Sequence, residues 1–177
     1  MKIAITGKMC SGKSTIANMI CMLDSHYKIY SFAQKIKEIA HDLFNMKYKD
    51  RQLLIQISNS MKDINSNVWI NYLLDKIKHE NHLDHCIIDD LRFQNELDAL
   101  DKQWIIISLG VTKEDQQKRL QNLYPDSYEE HVQCQNDVSE KNRLDFKDKH
   151  VVHLNTSQLS SCQLKHELYL LLIKHKS

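Results

Sequence analysis

Glycine occurs three times and proline once in 177 residues. Usual frequencies are about 7% and 5%, so each one marks a place where the backbone needs it. Arginine is also scarce, four against twenty lysines. No apolar run reaches the roughly 18 residues of a membrane span, which excludes a transmembrane helix. Residues Met1 to Gly7 carry too short an apolar stretch for a secretory signal, and a cytoplasmic, reducing compartment is the expectation. The five cysteines, Cys10, Cys21, Cys86, Cys134 and Cys162, are odd in number, scattered and without a C-x-x-C pair. A disulfide framework and a zinc ribbon are thereby disfavoured, and reduced structural thiols are expected. Charge of one sign is missing too. Lys plus Arg (24) balance Asp plus Glu (23) for a net +1, without the basic excess of a nucleic-acid binder.

What is present is enough apolar material for a core, 42% of residues, in a length that suits one domain. Short β-branched runs read as buried strands: Lys2 to Thr6, Tyr27 to Ser31, Cys86 to Asp89, Trp104 to Leu109 and Val151 to Leu154. Helical segments alternate with them at Thr15 to Leu23, Glu96 to Leu100, Lys113 to Leu123 and Leu159 to Lys174. Between Phe32 and His79 there is neither Gly nor Pro, and a series of helices is expected. Ile36, Ile39, Ala40, Leu43 and Phe44 are spaced for one buried face, Leu53, Leu54, Ile57 and Met61 for a second, and Trp69, Leu73, Leu74 and Ile77 for a third. Tyr124 to Lys149 is a polar excursion. Strands alternating with helices imply an α/β fold, a mainly parallel five-stranded sheet covered on both faces. Ligands on such sheets bind beyond the carboxyl ends of the strands.

One contiguous motif carries chemistry. Gly7-Lys8-Met9-Cys10-Ser11-Gly12-Lys13-Ser14 matches G-x-x-x-x-G-K-[ST] in full, a pattern that arises by chance in on the order of one chain in a hundred. Its glycines let the backbone wrap an anion, so that N–H groups face phosphate oxygens. The helix that follows, from Thr15, presents its positive end to the same anion. Lys13 is suited to the β- and γ-phosphates and Ser14 to Mg²⁺. The motif therefore announces a P-loop that binds a nucleoside triphosphate.

The acidic pair Asp89-Asp90 ends the third strand and can hold Mg²⁺ through water. Asp89 directly follows the apolar run and is assigned to the metal. The spacing does not separate the two firmly. No D-x-x-G or N-K-x-D stretch is present, which argues against a small GTPase, and the protein-kinase motifs are absent. His79-x-x-His82-x-x-His85 is poorly spaced for one helical face and reads as a solvated loop, and His131-x-x-Cys134 lacks the second ligand pair a zinc site needs.

Three segments together resemble the phage- and virus-type deoxynucleoside monophosphate kinases. They are the P-loop, Ser31-Phe32-Ala33-Gln34-Lys35-Ile36-Lys37-Glu38 (similar to F-A-D-P-L-K-E) and Asp89-Asp90-Leu91-Arg92-Phe93-Gln94-Asn95-Glu96 (similar to D-V-R-F-P-N-E). Val138-Ser139-Glu140 is a weaker match to the family's H-x-S-E. The chain departs from the family at Lys35 and Gln94, where it has proline, at Lys62, where it has arginine, and at Asp137, where it has histidine.

The resemblance implies an ATP- and Mg²⁺-dependent kinase acting on a (deoxy)nucleoside monophosphate. It implies a helical acceptor-binding insertion over about 33–80 and a lid over about 112–149. Lys37, Arg51 and Arg92 would hold the acceptor phosphate, with Phe32 and Trp69 flanking its base. Asp90, Asn95, Glu96, Ser139 and Glu140 would complete the acceptor site. Lys13, Asp90, Arg92 and Arg119 would act in transfer. Related enzymes are often homodimers. Another small-molecule P-loop kinase, of phosphomevalonate or dephospho-coenzyme A type, and a non-catalytic ATP-binding module are the rival readings.

Overall fold

The short apolar runs become strands flanked by polar loops; the three central ones are buried on both faces, whereas the edge strands at residues 28–30 and 150–155 are only partly covered. The computed structural model describes residues 1–80, 85–133 and 143–175. Its strands are β1 (Lys2–Gly7), β2 (Lys28–Tyr30), β3 (Cys86–Leu91), β4 (Trp104–Gly110) and β5 (His150–Asn155). They form one sheet in the order β2-β3-β1-β4-β5, with every pairing parallel. Ile3, Ala4, Ile5, Ile87, Ile88, Ile106 and Ile107 are fully buried. Each large aliphatic side chain so removed from water contributes roughly 1.5–3 kcal/mol.

The helices are α1 (Lys13–Leu23), α2 (Gln34–Phe44), α3 (Arg51–Ile64), α4 (Val68–His79), α5 (Gln94–Ala99), α6 (Lys113–Leu123), α7 (Tyr128–Gln133) and α8 (Ser161–Lys174). A 3₁₀ turn, Pro125–Ser127, joins α6 to α7. Helix α1 and α8 pack on one face of the sheet with Ile16, Ile20, Leu164, Leu168 and Leu172. Helix α4 covers the other face through Ile70, Leu73 and Ile77. No helix among the described residues is long and apolar enough to cross a membrane.

Between β2 and β3 the expected series is three helices with a small core of their own, Ile36, Ala40, Ile57 and Trp69. One expected face is shorter than the spacing suggested. Leu43 and Phe44 are 75% and 56% exposed. They lie in the last turn of α2, which stops at Asn45 in the left-handed conformation, so the packed stripe ends at Ala40. The segment 124–149 begins with the 3₁₀ turn and α7. Residues 134–142, with Cys134, Asp137, Ser139 and Glu140, lie outside the described residues, as does His82.

A local irregularity decides where the acids point. Ala4 pairs with Ile88, yet Thr6 pairs with Leu91. Two residues of β1 thus span three of β3, which is a bulge at Asp89-Asp90. Bulges re-aim side chains at strand ends, and this one lies at the carboxyl end of the sheet beside the P-loop.

Candidate functional site

The P-loop wraps as its sequence requires. Gly7 has φ 150° and Gly12 has φ 97°. A Cβ on Gly7 would fall 2.6 Å from Ser11 Oγ and 2.9 Å from the Leu109 carbonyl oxygen. Glycine at this position lets the fully buried Ser11 tuck beneath the turn. Cys10 also takes the left-handed conformation, φ 59°. Helix α1 starts at Gly12 without a side-chain cap, whereas α3, α6 and α8 are capped by Asp50, Thr112 and Ser160. An uncapped, positively polarised helix end next to a glycine-rich turn is an anion site.

Lys13 Nζ donates to the carbonyls of Gly7 (2.7 Å) and Lys8 (2.9 Å), which holds its ammonium over the loop. Lys8, Ser14 and Thr15 are exposed. Ser14 Oγ donates to Asp89 Oδ2 at 3.3 Å. Burial, then the neighbouring Asp90 charge, raises the Asp89 pKa, while Ser14, Lys37 and Lys13 pull it back. A hydroxyl and a carboxylate side by side form a hard-oxygen donor set that fits Mg²⁺.

Asp90 faces elsewhere. Its Oδ1 accepts from Phe32 N (2.8 Å), and its Oδ2 accepts from Ser31 Oγ (2.6 Å) and Ala33 N (3.0 Å). These three bonds tie the end of β3 to the turn that leads into α2. The spacing left the two acids unseparated. The structure sets Asp89 against Ser14 and commits Asp90, expected in transfer and acceptor binding, to the backbone of residues 32 and 33.

The other expected residues divide similarly. Arg51 reaches from the start of α3 to the P-loop, where its Nη2 lies 3.8 Å from Met9 Sδ and its Nε is buried with no hydrogen-bond partner among the described residues. Lys37, on the first turns of α2, is near enough to influence Asp89. Arg92 follows β3, and its N–H is held by Glu96. Asn95 is exposed on α5. Two aromatics are corrected in placement. Trp69 is 5% exposed inside the three-helix core and donates Nε1–H to the Ser58 carbonyl, and Phe32 is buried in the sheet core. Phe93, not singled out from the sequence, lies under Lys62 with Nζ 4.5 Å from its ring centre. Arg119 donates to the carbonyls of Cys10 (3.2 Å) and Thr156 (2.7 Å) and to Thr156 Oγ1 (2.9 Å). Gln116 and Thr156 also touch the loop and were missed. The available signals were a glutamine one turn before Leu120 on the buried face of α6, and a threonine just past the end of β5.

Glu96 is buried, and its Oε2 accepts from the N–H groups of Arg92 (2.8 Å) and Phe93 (3.0 Å). Desolvation pushes its pKa from 4.5 to about 7, against the pull of these two bonds. A carboxyl whose pKa is raised on folding holds more protons in the native than in the unfolded state between these two values. Stability from this group is therefore full at low pH and declines as pH rises from 4.5 towards 7. Glu96→Gln should flatten that decline, stabilising the chain at pH 8 relative to pH 5 by on the order of 2 kcal/mol. Urea unfolding of parent and variant at both pH values measures it, and an equal offset at both would refute the assignment.

No protein-family model matches the chain, and no curated protein is significantly similar in sequence. Solved structures do match. TT1252 from Thermus thermophilus aligns at TM-score 0.62 and 16% identity over 100% of this chain and 98% of that one. Shikimate kinase from Acinetobacter baumannii, in complex with shikimate, aligns at TM-score 0.54 and 14% identity over 99% and 94%. The Mycobacterium tuberculosis APS kinase CysC, in complex with AMPPNP and APS, aligns at TM-score 0.54 and 12% identity over 99% and 98%. The fold is that of P-loop kinases. The likeness spans both chains nearly end to end.

Proposed function

We propose that the protein transfers the γ-phosphoryl group of ATP to a (deoxy)nucleoside monophosphate, giving the diphosphate. The observation that carries this reading is Arg51. It belongs to the helices between β2 and β3, yet its guanidinium lies against Met9 of the P-loop. A cation shared between the triphosphate loop and a separate helical wall suits a reaction that must bring two polyanions together. Phosphoryl transfer is largely positioning and charge neutralisation, and arginine binds phosphate oxygens through a planar fork. The resemblance of residues 31–38 and 89–96 to the deoxynucleoside monophosphate kinases names the acceptor class.

In this reading the backbone of residues 7–14 and the start of α1 bind the triphosphate, and Lys13 holds its β- and γ-phosphates. Ser14 and Asp89 would hold Mg²⁺, which neutralises phosphate charge when bound. Arg51, Arg92 and Lys37 orient the acceptor phosphate. That phosphate has a second pKa of about 6 and is mostly dianionic at neutral pH, so no strong general base is needed. Asp90 and Glu96 fix the backbone on which the acceptor side is built.

A coupled ADP-release assay over the deoxy- and ribonucleoside monophosphates, with shikimate and other non-nucleotide alcohols as controls, tests the substrate class. Turnover on at least one monophosphate is expected. Activity confined to a non-nucleotide acceptor refutes it. Arg51→Ala should raise the acceptor KM or lower kcat by on the order of 10²-fold, the scale for loss of one transition-state donor, while ATP affinity changes less.

A further inference from the structure

The outer side of the P-loop is tied down by side chains that come from distant parts of the chain. Gln116 of α6 is 6% exposed, and its Nε2 donates to the Met9 carbonyl at 2.8 Å. Thr156, 7% exposed and just past β5, donates Oγ1–H to the Ser11 carbonyl at 2.9 Å. Arg119 bonds the Cys10 carbonyl between them and reaches back to Thr156. Three consecutive carbonyls, Met9, Cys10 and Ser11, thus accept from outside the loop.

In a trans peptide unit the N–H points opposite to the C=O. Fixing the carbonyls of Met9 and Ser11 toward Gln116 and Thr156 turns the N–H groups of Cys10 and Gly12 away from these side chains. The Ser11 N–H between them bonds the Lys8 carbonyl and closes the turn, and N–H groups turned to one side of such a turn form an anion-binding concavity. The clamp also brackets Cys10, whose left-handed conformation a non-glycine residue holds only when its surroundings over-determine it.

We propose that Gln116 and Thr156 are positioning residues for the triphosphate. They hold the loop in its phosphate-binding shape before the ligand arrives, through the Met9 and Ser11 carbonyls and with no need to contact the phosphates. The inference rests on the kinase reading above. Dipoles fixed in advance bind developing or bound charge without a reorganisation cost. Removing either donor lets its peptide unit turn and weakens the site.

The test uses Gln116→Met and Thr156→Val, which nearly keep volume and remove the donor; Thr156→Val also takes one acceptor from Arg119, which keeps its bonds to the Cys10 and Thr156 carbonyls. Calorimetry with Mg-ATP and with inorganic tripolyphosphate, which has no base, should show affinity reduced about tenfold in each variant, the scale of one lost hydrogen bond to a buried carbonyl. The KM of the best monophosphate acceptor should stay within about twofold, an effect below ~0.5 kcal/mol. Parent-like tripolyphosphate affinity in both variants overturns the proposal, and so does an equal loss of ATP and acceptor affinity, which marks a general structural defect. A loss seen with ATP alone also overturns it, because it marks a contact to the base. If Gln116→Met does not fold, Thr156→Val alone decides between these outcomes. A parent chain that binds no triphosphate refutes the kinase reading before any substitution is made, and this inference falls with it.

Discussion

Lys13→Ala is expected to lower phosphoryl transfer by on the order of 10²–10³-fold, the range found when one preorganised donor to a developing charge is removed, and to leave the fold intact. The lysine is half-exposed, and its Nζ bonds to the carbonyls of Gly7 and Lys8. Those are local contacts within one turn, so little of the core depends on them. In the proposed reaction the same ammonium meets the β- and γ-phosphates, where charge shifts during transfer. Single-turnover kinetics and far-UV circular dichroism of the variant together check the result. Transfer at the parent rate with normal folding would remove Lys13 from the site. Loss of transfer accompanied by loss of fold would show a structural role instead.

Asp90→Ala carries the second large effect, and it falls first on stability. The carboxylate receives two backbone N–H groups and one hydroxyl from residues 31–33. Hydrogen bonds to a charged group contribute about 1.5–3 kcal/mol each, and partial access to water softens their loss. A destabilisation of about 3 kcal/mol is expected by urea unfolding. Asp90→Asn should recover only part of it, because an amide places donors where the fold needs acceptors. The Asp90 charge also raises the Asp89 pKa, so its removal should let Asp89 ionise more readily. An Asp90→Ala variant as stable as the parent would mean that the turn after β2 is held by something else.

Much of this was legible in the chain because its signals are local. The three central strands are largely continuous apolar runs, the edge strands are shorter and mixed, and the P-loop is one contiguous segment whose glycine positions are dictated by backbone geometry. The roles of Asp89 and Asp90 were not legible, since a period-2 strand would place neighbours on opposite faces, and only the bulge between Ala4 and Thr6 shows which side chain meets which loop. Gln116 and Thr156 were missed because their partners lie 107 and 145 residues away, where no spacing rule reaches. Trp69 and Phe32 look like base-stacking aromatics in a motif, and tertiary packing takes them inside. Leu43 and Phe44 fit a helical stripe by spacing, yet they lie in the last turn of α2 and stay exposed.

The extra residue in β3 has one more consequence. Asp89 and Asp90 hang from adjacent Cα atoms, about 3.8 Å apart, yet one leans on the helix after the first strand and the other on the turn after the second. Any tilt of that strand end is felt at once by both of these elements. In the proposed reaction, the distance between the P-loop and the turn after β2 is thus gauged by a single peptide link.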